Sequence, residues 1–237
     1  MLIYKSGDNS DEEPHDMSGT MNINLLHHTP LGLASKGCRM SHDSFKHSDT
    51  YNTNDNIGPK DQELIGRIGV KFKHESILEF LSYVYDVEMS TKTLLAFSRH
   101  RVGISLTMRS TRYTTKKNQG KHTTQSTPKT KKYLERIMDI VDEAIGESLS
   151  NDEISLLLPQ GYVYRGQIQF NMRSLRHFLM LRLPKEAHFQ IRGLAEELVL
   201  KLPRQHLYLV EDIIENYALP EFKEKFKEFI HDTEKDT

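Results

Sequence analysis

Leu81-Ser82-Tyr83-Val84-Tyr85-Asp86-Val87-Glu88 is the stretch that decides the fold. Leu81, Tyr83, Tyr85 and Val87 alternate with Ser82, Asp86 and Glu88, and a period of two marks a strand with one buried face. Its flanks read differently. Upstream, Leu64, Ile65, Ile68 and Phe72 recur at helical spacing behind Pro59 and Asp61, a plausible helix start. Downstream, Ser90 or Thr91 is expected to cap a helix through Leu94, Leu95 and Phe97 to about Arg101. Isolated strands among many helices define an α+β fold, with helices packed on a small antiparallel sheet.

The rest of the chain extends this pattern. Residues 21–26 read as a first strand, and residues 27–56 as polar loops with one short helix near Leu31–Cys38. Gly120–Thr130 breaks all periodicity and is expected, within a basic stretch of about 114–132, to be a flexible loop. An amphipathic helix follows, with Tyr133, Ile137, Ile140, Val141, Ala144, Ile145 and Leu149 on one face. Asn151 is expected to cap a shorter helix, and Tyr162–Phe170 to be a strand interrupted by Gly166. Asn171 reads as the cap of a helix ending near Arg182, and three helical stretches (about 185–202, 206–217 and 221–231) finish the chain. Residues 1–20 are expected to be a disordered extension, leaving 21–237 as a single domain.

Composition narrows function. The 237 residues carry 32 Lys and Arg against 33 Asp and Glu, a balance that speaks against a nucleic-acid binder. One cysteine, Cys38, excludes a disulfide framework and a cysteine-based zinc site. No apolar run is long enough to span a membrane, so a soluble cytoplasmic protein is expected. The charge is nonetheless uneven: Met89–Leu134 holds no acid and eleven basic residues. Concentrating one sign of charge is how anion sites are built.

At the heart of that window stands Ser98–Tyr113, SRHRVGISLTMRSTRY. Helical geometry would put Arg101 about 200° from Arg99, and cations that close repel unless an anion sits among them. Phosphate is the natural partner for guanidinium. The bland alternative is a solvated basic face.

Arg99-His100-Arg101, followed after eight residues by Ser110-Thr111-Arg112-Tyr113, resembles the signature of the flavin-dependent thymidylate synthases, the ThyX family. His74-Glu75-Ser76 with Glu79 resembles an upstream block of that family, and Asn171-Met172-Arg173-Ser174 with His177-Phe178 and Leu181-Arg182 a downstream one. The resemblance implies reductive methylation of dUMP to dTMP, with methylenetetrahydrofolate as carbon donor and FADH2, regenerated by NADPH, as hydride donor. It implies FAD contacts at Ser76, Arg99, His100, Arg101, Asn171, Arg173 and His177. It implies dUMP contacts at Arg99, Ser110, Arg112 and Arg182, with Glu79 near the pyrimidine and Arg182 as the activating residue. It also implies a homotetramer with active sites where subunits meet, and neither nucleic acid nor membrane as partner.

The chain departs from the family pattern in places. Thr107, Met108 and Arg109 stand where Asn-Glu usually precedes the motif serine, Ala96 replaces a glutamine, and Ser155 replaces an arginine. Substitute nucleotide contacts are expected from Arg109, Arg165 or Gln160. The residue types suit the reaction: a uracil ring needs either a thiolate at C6 or cationic polarisation, and Cys38 stands in no such context. Ser110 reads as a binding hydroxyl rather than a nucleophile.

Other features have plainer readings. His27, His28, His42 and His47 lack carboxylates at fixed spacing, so no metal site is expected. Glu75 and Glu79 could pair as acid and base or form a solvated helix face. The Tyr133–Leu149 stripe reads as core or subunit interface. The rival to the enzyme is a non-catalytic nucleotide- or RNA-binding module using residues 98–132.

Overall fold

The computed structural model describes residues 21–235 except His42; the expected extension over 1–20 lies outside the described residues. The element order is β1 (Ile23–His28), α1 (Leu31–Met40), α2 (Pro59–Ile65, continuing as a π-helical turn over Gly66–Lys71), β2 (Ser82–Ser90), α3 (Thr91–Phe97) and β3 (Ile104–Met108). There follow α4 (Thr111–Thr114), α5 (Lys131–Gly146), α6 (Asn151–Ser155), β4 (Val163–Asn171), α7 (Met172–Arg182), α8 (Phe189–Leu200), α9 (Glu211–Tyr217) and α10 (Pro220–Lys235). The strands form one antiparallel sheet in the order β1-β2-β4-β3, so the α+β reading holds. No helix among the described residues is long and apolar enough to cross a membrane.

The alternation in β2 works as its sequence demands. Tyr83, Tyr85, Val87 and Met89 are fully buried, joined on the same face by Ile168 and Phe170 of β4. Phe97, Phe178, Leu179, Leu194 and Leu198 of α3, α7 and α8 close over that face. The other face is polar, with Arg165 paired to Asp86 at 2.6 Å and Gln169 donating to Ser82 Oγ at 2.7 Å. A smaller cluster of Met138, Val141, Ile145, Ile154 and Tyr162 forms beneath α5 and α6.

Several expectations need correcting. Helix α3 ends at Phe97, with Ser98 as its C-cap, its N–H donating to the Leu94 carbonyl and its Oγ to the Leu95 carbonyl at 3.1 Å, and Arg99-His100-Arg101 therefore lies in an irregular link. Ser150, not Asn151, caps α6, exchanging hydrogen bonds with Glu153 in a reciprocal box. Gly166 does not interrupt β4. It sits between Val87 and Met108, where a Cβ would lie 2.1 Å from the Thr107 carbonyl oxygen, so glycine is what lets β3 come close. The expected loop over 120–130 is tied at its middle: Gln125 is buried, its side chain accepts from the Ser90 N–H at 3.0 Å, and Thr124 bridges to Tyr162. Of the amphipathic stripe, Val141, Ala144 and Ile145 are core, while Tyr133, Ile137 and Ile140 face outward.

Gly166→Ala should therefore detach β3 from the sheet. Urea unfolding is expected to show a loss of at least about 2 kcal/mol.

Candidate active site

Three segments meet around a cavity of 720 Å³. Helix α7 and its cap contribute Asn171, Arg173, Ser174, His177, Leu181 and Arg182; the α3–β3 link and the first residue of β3 contribute Arg99 to Ile104; the 3-10 turn Glu75–Phe80 contributes Glu75 and Glu79.

The junction between link and helix is tight. Asn171 caps α7, its Oδ1 accepting from the Ser174 N–H at 2.8 Å. Its own backbone N–H donates to the Gly103 carbonyl at 3.1 Å, and Ser174 Oγ donates to the Val102 carbonyl at 2.7 Å. Gly103 has φ +66°, and a Cβ there would lie 2.2 Å from Ser174 Oγ. Glycine is required on both counts.

This junction hangs the Arg-His-Arg triplet over α7. Arg182 Nε donates to His100 Nε2 at 3.0 Å. His100 also packs edge-on against Phe178 and His177. Burial, then Arg182 and His177 close by, push the His100 pKa down to about 4. The ring is thus neutral at pH 7, and Nε2 is an acceptor for the guanidinium. Burial and the neighbouring Arg99 also lower the Arg182 pKa, so a cation is held where it is under-compensated. Across the cavity Arg173 pairs with Glu79 at 2.5 Å and Glu75 at 3.4 Å. Glu75 and Glu79 thus turn out to be counter-ions for an arginine, neither an isolated acid–base pair nor a purely solvated face. Four arginines (Arg99, Arg101, Arg173, Arg182) against two glutamates leave the lining net cationic, which fits a phosphate-bearing ligand.

Not every candidate residue arrives here. Ser76 is exposed and outside the lining. Arg109, Ser110 and Arg112 lie beyond the far end of β3. Ile104 at the cavity and Ser110 are about 20 Å apart along an extended strand. Arg112 makes a two-pronged pair with Asp152, at 2.8 and 3.3 Å, and Asn151 Nδ2 donates to its carbonyl. The single basic cluster expected at Ser98–Tyr113 is therefore two clusters divided by a strand. Arg165 is occupied by Asp86, and Gln160 is exposed. Cys38 is buried in the main core outside the cavity, and burial raises its thiol pKa to about 11. Sequence reasoning missed β3, the closeness of Gly103 to α7 and the anchoring role of Ser174; the Val-Gly pair just after the Arg-His-Arg triplet was the available signal.

The model of the family described as thymidylate synthase complementing protein matches residues 24–206. A flavin-dependent thymidylate synthase of Campylobacter jejuni is 34% identical over 182 residues, covering 70% of this chain and 84% of that protein. One from Helicobacter pylori is 31% identical over 188 residues, covering 70% and 86%. A crystal structure of Helicobacter pylori ThyX with FAD and dUMP superposes with a TM-score of 0.74 at 29% identity, covering 82% of this chain and all of the other.

Two outcomes follow from the site's geometry. In NMR titration of the free protein, the His100 ring should stay neutral down to a midpoint near pH 4; a midpoint at or above 6.5 would contradict its burial beside Arg182. Gly103→Ala should leave a folded protein that binds nucleotide at least about tenfold more weakly, because a strained link displaces the triplet.

Proposed function

This chain belongs to the family of flavin-dependent thymidylate synthases, and we propose that it converts dUMP to dTMP with methylenetetrahydrofolate as carbon donor, FAD as cofactor and NADPH as reductant. The observation that carries the proposal is the net cationic cavity in which Arg182 is aimed by a neutral His100.

The donor set fits FAD. Arg99, Arg101 and Arg173 supply guanidiniums for a pyrophosphate, and Asn171 and His177 supply polar groups beside it. When bound, the flavin supplies the hydride that no side chain can. The residues themselves bind and polarise. With Nε committed to His100, Arg182 has its terminal N–H groups left to meet a ligand in the cavity it lines. A uracil whose N3 ionises there puts negative charge beside a partly buried cation, the arrangement that lowers a barrier electrostatically. A protonated His100 would repel Arg182, so its low proton affinity keeps the pair intact at neutral pH. Cys38, buried and poorly ionised, supports a route with no thiolate attack.

The division of the arginines supports a shared site. Arg99 and Arg182 lie at one end of β3, and Arg109, Ser110 and Arg112 at the other, too far apart to grip one mononucleotide from a single chain. In a homotetramer, Ser110 and Arg112 of one chain complete the cavity of another. Phosphate then replaces Asp152 as the partner of Arg112, a surface pair worth little to keep.

Arg182→Ala should abolish dTMP formation from dUMP, methylenetetrahydrofolate and NADPH while leaving bound flavin absorbance in place; near-normal turnover would remove Arg182 from the activating role. Cys38→Ala should keep turnover within about threefold, at a cost in stability of roughly 1 kcal/mol for the lost core volume.

A further inference from the structure

His28, Asp55 and His206 bring three metal-binding atoms within 4.8 Å of one another. His28 closes β1, Asp55 lies in the connection ahead of α2, and His206 sits in the 3-10 turn Arg204–Leu209. Both imidazoles aim Nε2 at the one carboxylate: His28 at 2.6 Å from Oδ2, His206 at 2.7 Å from Oδ1. The Leu31 N–H donates to Oδ1 at 2.9 Å. Tyr83 Oη lies 2.6 Å from His206 Nδ1, the outer contact that fixes a ligating imidazole. The His206 side chain is fully buried, whereas those of His28 and Asp55 are 29% and 21% exposed, so the group opens to solvent on one side. Sequence spacing gave no sign of it, because His206 stands 151 residues from Asp55.

We propose that His28 Nε2, the Asp55 carboxylate and His206 Nε2 form a site for a divalent transition cation, best matched by Zn2+, with water as fourth ligand. Two imidazoles and one carboxylate are a ligand set that zinc takes readily. Burial keeps His206 neutral, although Asp55 favours its protonated form. Burial would raise the Asp55 pKa, but hydrogen bonds from His206 and His28 outweigh it and keep the carboxylate ionised. Without metal, the rings donate Nε2–H to Asp55. On binding, each ring takes the tautomer protonated at Nδ1, so that both Nε2 nitrogens and the carboxylate bond the cation, and no oxidation state changes. The N···O spacings must open by roughly 0.6 Å to reach the edge of a tetrahedron with bonds of about 2.0 Å. At His206 the Nδ1–H then donates to Tyr83 Oη, and the Tyr83 O–H, which stays on the phenol, turns away from Nδ1. Tyr85 and Tyr208 carry buried hydroxyls without a hydrogen-bond partner among the described residues, and both bear electrostatically on the Tyr83 phenol.

The site is separate from the cavity. His28, Tyr83, Phe170 and Ile104 form one row across the sheet, and three strand spacings, about 14 Å, separate the edge at β1 from the edge at β3. A cation here is structural: it ties β1 and the connection before α2 to the turn after α8.

The test uses the full-length protein stripped with chelator and titrated with ZnCl2 by calorimetry, with zinc content measured after gel filtration. One zinc per chain is expected, with a melting temperature that rises with zinc by mass action. His28→Ala, at the exposed side of the site, should remain folded in chelator and lose stoichiometric zinc. Tyr83→Phe should weaken binding about 10- to 100-fold. No zinc uptake by the wild type, or equal uptake by His28→Ala, would overturn the proposal.

Discussion

The close passage of the α3–β3 link against the first turn of α7 is the constraint on which the cavity depends. At Gly103 the two backbones approach with no room for a side chain. Asn171 and Ser174 satisfy the helix N-terminus and grip the link at once. One set of hydrogen bonds thus caps α7, begins the pairing of β3 with β4, and suspends Arg99, His100 and Arg101 over Arg182. Loosening any of these contacts moves the triplet, since a link of six residues between α3 and β3 leaves little slack.

The electrostatic design follows from that placement. Four arginines around one cavity repel, and only Arg173 has carboxylate partners among the lining residues. A neutral histidine between helix and link accepts from Arg182 without cancelling its charge. The site therefore carries uncompensated positive charge, the local inconsistency expected at a functional position.

Legibility in the sequence followed the physics of each element. Strand β2 was plain because its sheet buries one face and wets the other, and α7 was plain because Asn171 is a strong cap. Strand β3 was not: Ile104–Met108 is a short edge strand whose Ser105, Leu106 and Thr107 are all exposed, so no alternation marks it. The helix through Arg101 was over-extended because periodicity does not mark Ser98, whose hydroxyl donates to the Leu95 carbonyl and closes the last turn. The motif residues named Arg99, His100, Arg173, His177 and Arg182 as one group, and the cavity gathers them. Motifs could not show that Arg173 is held by Glu75 and Glu79, nor that Arg112 stands a strand's length away, because both depend on contacts between distant segments. The same holds for His28, Asp55 and His206.

The separation of Ser110 and Arg112 from Arg182 makes the shared site the central claim, and subunit complementation tests it most directly. Arg182→Ala and Arg112→Ala chains, each inactive alone, are co-expressed and the mixed oligomer is assayed for dTMP formation. If each cavity draws Arg182 from one chain and Arg112 from another, mixed oligomers contain some intact sites and activity returns well above either parent. If both arginines serve within one chain, no intact site can form, and activity at the parental level would contradict the account.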